Sequence, residues 1–126
     1  MTELDDAQKS GSLRKDPILG IDTKNAASVV RLGGELDLYN ANAVRDALVR
    51  TTDGSPERII VDLGEVEFLD STALGVLIEA RARMKNKKAF LLASPGLETR
   101  RALQISGLDR HFTVFDTVAE ALAAQV

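Results

Sequence analysis

The chain has 126 residues, the size of one compact domain with its own core. Lysine and arginine number 16 against 19 aspartates and glutamates, a net charge of −3, so the positive surplus that nucleic-acid binding demands is missing. There is no cysteine and only one histidine, His111, which excludes disulfides, thiolate metal sites, cysteine nucleophiles and any site needing two imidazoles.

Residues 1–16 mix both charge signs with Ser, Gly and Gln and show no apolar period, and they are expected to form a flexible N-terminal tail. The start Met1-Thr-Glu-Leu-Asp-Asp has neither the basic residues nor the apolar run of a secretory signal. The longest apolar stretches, residues 58–63 and 73–78, are far short of the ~20 residues of a membrane span. The expectation is a soluble cytoplasmic protein, with no membrane insertion, no direct nucleic-acid binding and a domain over residues 17–126.

Within that domain, Ile18–Ile21 and Ser28–Leu32 are short apolar runs around the polar Thr23-Lys24-Asn25, which predicts a hairpin. Gly33-Gly34 reads as a turn after the second strand, and Glu35-Leu36-Asp37 as a short third strand. Asn40 suits a helix N-cap, and Val44, Ala47, Leu48 and Thr51 recur at helical spacing to about residue 52. Asp53-Gly54-Ser55-Pro56 is a loop. Arg58–Leu63 is nearly all apolar, the pattern of a strand covered on both faces.

A second helix is predicted over residues 71–85, with Ala73, Val76, Leu77, Ala80 and Met84 on one face. A strand follows at Ala89–Ala93. Ser94-Pro95 pairs a cap with a proline suited to the first helical position, and that helix is expected to stop at Gly107. Phe112–Phe115 predicts a last strand, and Thr117 caps a final helix over residues 118–124. A hairpin followed by alternating helices and strands implies an α/β domain with a mixed, mostly parallel sheet.

The most informative segment is Phe68-Leu69-Asp70-Ser71-Thr72-Ala73-Leu74-Gly75. It sits where a loop opens a helix, so Asp70 or Ser71 can accept hydrogen bonds from the free amides of the first turn. On local grounds this is a cap. A hydrolase nucleophile at Ser71 is disfavoured, because no Gly-x-Ser-x-Gly elbow is present and His111 lies far along the chain. Gly33-Gly34 lacks the spacing of a phosphate-binding loop, and Asp37 and Asp62 are isolated carboxylates, so neither metal nor cofactor is expected. Arg81, Arg83, Lys85, Lys87 and Lys88 read as the solvated side and end of the second helix, where cations suit the dipole, with contact to an acidic partner as the lesser alternative.

The same segment resembles the signature of STAS domains, in particular bacterial anti-sigma factor antagonists, whose pattern is Asp-Ser-Ser/Thr-Gly-Leu-Gly. Gly34-Glu35-Leu36-Asp37, Ile59–Leu63 and Ser94-Pro95 through Ser106-Gly107-Leu108 resemble further family stretches in the same order. Ala73 stands where the family often has Gly, a change that favours the helix by roughly 1 kcal/mol.

The resemblance implies a STAS-like fold with helices mainly on one face of the sheet. It implies a protein without catalysis that binds an anti-sigma factor and so frees a sigma factor. The anti-sigma factor is often a serine kinase that phosphorylates the residue after the signature aspartate, here Ser71, with Thr72 a candidate second site. A phosphatase reverses the reaction. The binding surface it implies comprises Asp37, Leu38, Tyr39, Asp70, Ser71, Thr72 and Leu74, on a protein that is monomeric when free. The alternative within the family is an unphosphorylated scaffold subunit of a lipid transporter or signalling complex.

Overall fold

In the computed structural model, residues 16–126 are described. The tail expected over residues 1–16 falls outside the described residues except for Asp16. Five strands form one sheet in the spatial order β1-β2-β3-β4-β5. β1 (Ile18–Lys24) and β2 (Ala27–Leu36) pair antiparallel, and the remaining neighbours pair parallel. The hairpin turn is Asn25-Ala26, both with positive φ, the conformation a two-residue turn needs to match the strand twist.

The expected turn at Gly33-Gly34 and the expected third strand at Glu35-Leu36-Asp37 are not formed. β2 runs through both glycines, which pair with Glu65 and Val66 of β3 between two register shifts. Gly34 has φ +76°, a left-handed bulge that disfavours a side chain. A Cβ on Gly33 would stand 2.8 Å from Leu19 Cδ1, so the bare backbone makes room for that leucine. The glycines therefore bend a strand that local reading ends.

Helix α1 (Ala41–Asp53) buries Ala41, Val44, Ala47, Leu48 and Thr51. β3 (Arg58–Leu69) continues six residues past the apolar run that revealed it. Its second half pairs with the β2 bulge and buries Val66 and Leu69 in the core, while Glu65, Glu67 and Phe68 are exposed. Helix α2 (Ser71–Arg83) ends before Met84, which turns extended. β4 (Phe90–Ala93) is buried throughout, as a strand covered on both faces must be.

Helix α3 (Leu97–Ser106) starts two residues later than Ser94-Pro95 suggested, with Gly96 at its N-cap. Ser94 has φ +60°, and the residue before a proline is sterically turned away from right-handed helix. Gly107 closes α3 in the left-handed conformation, as expected. β5 (Thr113–Phe115) leaves Phe112 outside the strand but buried. In α4 (Val118–Ala123) the Glu120 amide donates to the Thr117 hydroxyl at 3.0 Å.

Alternation along the strands sorts the core into two layers. Val30, Leu36, Ile59, Val61, Leu63 and Leu92 face Val44, Leu48, Leu77 and Leu103 of α1, α2 and α3. Val29, Ile60, Leu91 and Ala93 face Ala121 of α4 on the other side. Three helices thus cover one face and a short one part of the other, in accord with the expected arrangement. Because β2, β3, β4 and β5 run parallel, the chain leaves all four at the same edge of the sheet. There the Asp70 amide donates to the Leu36 carbonyl at 3.0 Å, and the Ser94 amide to the Phe115 carbonyl at 2.9 Å.

Candidate functional site

The edge where β2 and β3 end brings two segments together that are 32 residues apart. Asp70 joins them. Its Oδ1 accepts the Ala73 amide at 3.0 Å and caps α2, while its Oδ2 accepts the Leu38 amide at 3.1 Å. One carboxylate therefore starts the helix and holds the loop before α1 against it. Of the two candidate caps left open by the sequence, Asp70 is the one used. Ser71 is the first helical residue and is exposed, and its hydroxyl makes no hydrogen bond among the described residues. Thr72 is half-buried.

The loop of residues 37–40 is internally braced. The Asn40 side chain accepts the Asp37 amide at 2.9 Å and donates to the Glu35 carbonyl at 2.7 Å. Asp37 Oδ1 accepts the Tyr39 amide at 3.0 Å. Asn40 thus occupies the N-cap position of α1 without a side-chain bond into the helix, because its amide is spent on the loop. The bracing holds Leu38 at 65% and Tyr39 at 82% exposure. Ordered apolar groups turned to water mark a recognition surface when they cluster beside polar ones.

The site residues read from the sequence do not all come together at the surface. Asp37, Leu38, Tyr39, Asp70 and Ser71 share the edge. Leu74 points inward and is part of the core beneath α2. Phe68 was not among the expected site residues. It is 51% exposed and pairs with Glu35, one step before the inward-facing pair Leu36 and Leu69. Strand alternation was the signal: with Leu69 in the core, Phe68 must face away.

Behind the site, α1 and α2 are clamped by exposed ion pairs, Arg45 with Glu79 at 2.9 Å and Arg83 with Asp53 at 3.1 Å. The hydrogen bond from Arg45 holds the Glu79 carboxyl below its ordinary range, and Glu79 raises the Arg45 guanidinium in turn. Among the described residues no group of three or more potential ligands could hold a metal ion. Asp62 instead accepts the Gly64 amide at 2.9 Å. His111 lies exposed in a loop, edge-on to Phe112 at 5.1 Å. Among the described residues, no helix is long and apolar enough to cross a membrane.

The mixed five-stranded sheet, with a capped helix opening at Asp70-Ser71-Thr72, has counterparts among known proteins. The STAS domain model matches residues 20–121, and the chain belongs to that family. The chain is 34% identical over 98 residues to the anti-sigma-F factor antagonist RsfB of Mycobacterium tuberculosis, spanning 78% of this chain and 80% of that protein. A crystal structure of an anti-sigma factor antagonist from Mycobacterium paratuberculosis superposes with a TM-score of 0.76 at 31% identity, covering 81% of this chain and 87% of that one. The Bacillus cell fate determinant SpoIIAA, solved in its phosphorylated form, shares the fold at a TM-score of 0.62 and 24% identity, covering 82% of this chain and 95% of that one.

Proposed function

We propose that the protein is a cytoplasmic anti-sigma factor antagonist, switched off by phosphorylation of Ser71. It binds an anti-sigma factor that is also a serine kinase, and so releases a sigma factor. A phosphatase restores the binding form, and the antagonist itself performs no catalysis. The observation that carries this reading is Ser71 itself: an exposed hydroxyl opening a helix, beside a braced loop that presents Leu38 and Tyr39. Thr72, half-buried, is the less accessible of the two hydroxyls. The surface comprises Asp37, Leu38, Tyr39, Asp70, Ser71 and Thr72, extended by Phe68. Leu74 supports it from below.

The electrostatics locate the effect of the phosphate. A phosphoryl group adds about −1.5 to −2 charges. At a helix N-terminus it meets free amides and the dipole, worth roughly 0.3–1 kcal/mol. The Asp70 carboxylate next to it opposes by a similar screened amount, on the order of 0–1 kcal/mol. Neither fold nor helix then changes, and the cost falls on the interface. A dianion desolvated against a surface made for a hydroxyl costs several kcal/mol, and about 1.4 kcal/mol is a factor of ten.

The test is titration of the cognate anti-sigma factor with parent protein, Ser71→Ala, Ser71→Asp and Asp37→Lys, with stability measured alongside. Ser71→Ala should bind and resist phosphorylation. Ser71→Asp should bind about a hundredfold more weakly or worse, and Asp37→Lys should weaken binding without unfolding. Equal affinities for the folded set refute the switch and leave the scaffold role as the reading.

A further inference from the structure

The parallel strands have a second end, away from Ser71, and it carries a cavity of about 530 Å³. Arg81, Lys88, Arg110 and His111 line it, contributed by the end of α2, the 3-10 turn before β4 and the loop before β5. Leu91 and Phe112, both buried, form its apolar floor. Gln125 and Val126 complete one side of it, and no aspartate or glutamate side chain lines it.

Arg31, Arg45, Arg83, Arg100 and Arg101 each pair with a carboxylate, and Arg58 donates to the Ala121 carbonyl. Arg81, Arg110 and the Lys88 ammonium have no such partner among the described residues, although the chain carries more acids than bases. Lys24, Arg50 and Lys85 also lack a carboxylate partner among the described residues, and what sets this cluster apart is that three such cations line one cavity. Three cations around one cavity, with no side-chain carboxylate among them, repel one another, and a bound anion offsets that repulsion. His111 stands edge-on to the Phe112 ring and adds a ring N–H donor to the lining.

We propose that this cavity is a binding site for a small polyanion, a ligand with two or more phosphate or carboxylate groups. The volume fits a small organic ligand, for which sites run from about 300 to 1,000 Å³. Guanidinium groups from two different elements can each grip an oxyanion with paired N–H donors. The apolar floor accommodates the carbon skeleton between the anionic groups. The site is independent of the switch at Ser71, which opens the opposite end of α2.

Amide and His111 ring resonances are followed by NMR while inorganic pyrophosphate, and separately citrate, is titrated at about 150 mM salt, where weak surface attraction is screened. Saturable shifts confined to residues around Arg81, Lys88 and 110–113 are expected for at least one probe. The stronger of the two distinguishes a phosphate from a carboxylate ligand. Arg81→Gln with Arg110→Gln should weaken that binding at least about tenfold, each lost charge-assisted contact being of that order, with an unchanged melting temperature. Ser71→Asp should bind the probe as the parent does. Shifts that never saturate, equal binding by the double variant, or binding of hexaglutamate but neither small anion each overturn the proposal.

Discussion

Replacing Asp70 tests the joint on which the site depends. Its two oxygens serve two different segments, so truncation removes two bonds at once. Losing the N-cap bond to Ala73 costs about 1 kcal/mol, within a range of 0.5–2. Losing the bond to the Leu38 amide costs about another 1 kcal/mol, the usual net worth of an intramolecular hydrogen bond. A domain of this size shifts by roughly 4 °C per kcal/mol, so Asp70→Ala should melt about 8 °C below the parent. Asp70→Asn separates the two roles. An amide retains one acceptor for Ala73 but presents N–H to the Leu38 amide, so the cap survives and the loop tie is lost. That variant should melt about 4 °C low, with faster amide exchange at Leu38 and Tyr39 and little change at Ala73. Thermal melts with residue-resolved hydrogen exchange measure both effects. An Asp70→Ala protein melting within about 1 °C of the parent, or Leu38 exchange unchanged in both variants, would refute the claim that one carboxylate couples loop and helix.

Other substitutions probe separate links. Gly34→Ala meets no neighbouring atom, so its cost is that of a side chain at φ +76°, about 1–2 kcal/mol in a chemical melt; an unchanged midpoint would place no strain there. The Thr99 hydroxyl is buried with no hydrogen-bond partner among the described residues. Thr99→Val should therefore stabilise the fold by about 1 kcal/mol, and a lower melting point would mean the hydroxyl is in fact satisfied. The Glu79 carboxyl, held low by Arg45, favours the folded state above its ordinary range, and that contribution disappears as pH falls through the depressed value. Arg45→Gln should raise the Glu79 titration, followed by its carboxyl carbon resonance, and should be destabilising near neutral pH but not in acid. A Glu79 midpoint that does not move would remove the pair from the account.

Element order from α1 onward, the inward faces of α1 and α2, the Gly107 stop and the signature around Ser71 were all legible in the sequence. Each is a local pattern: apolar period, cap chemistry, or a glycine where the backbone turns left-handed. What failed was also local in form but decided elsewhere. Gly33-Gly34 looks like a turn until β3 pairs alongside and makes it a bulge. The second half of β3 carries no continuous apolar run, since only Val66 and Leu69 are buried there, and pairing with the β2 bulge extends the strand through it. Ser94-Pro95 has the composition of a helix start, yet Ser94 is left-handed and α3 begins beyond it.

The site divides along the same line. Asp70 and Ser71 enter the candidate site through the motif that resembles the family signature, and Leu38 and Tyr39 through the loop that the same resemblance implies. That Leu74 turns inward follows only once the sheet and helix layers are stacked, and the same stacking puts Leu69 in the core and so turns its neighbour Phe68 outward. The choice of Asp70 as cap, and its second bond to a loop 32 residues away, belongs to the tertiary structure alone. A short motif specifies which hydrogen bonds a side chain can make. Parallel pairing of β2 with β3 brings the loop within reach and so decides which of them form.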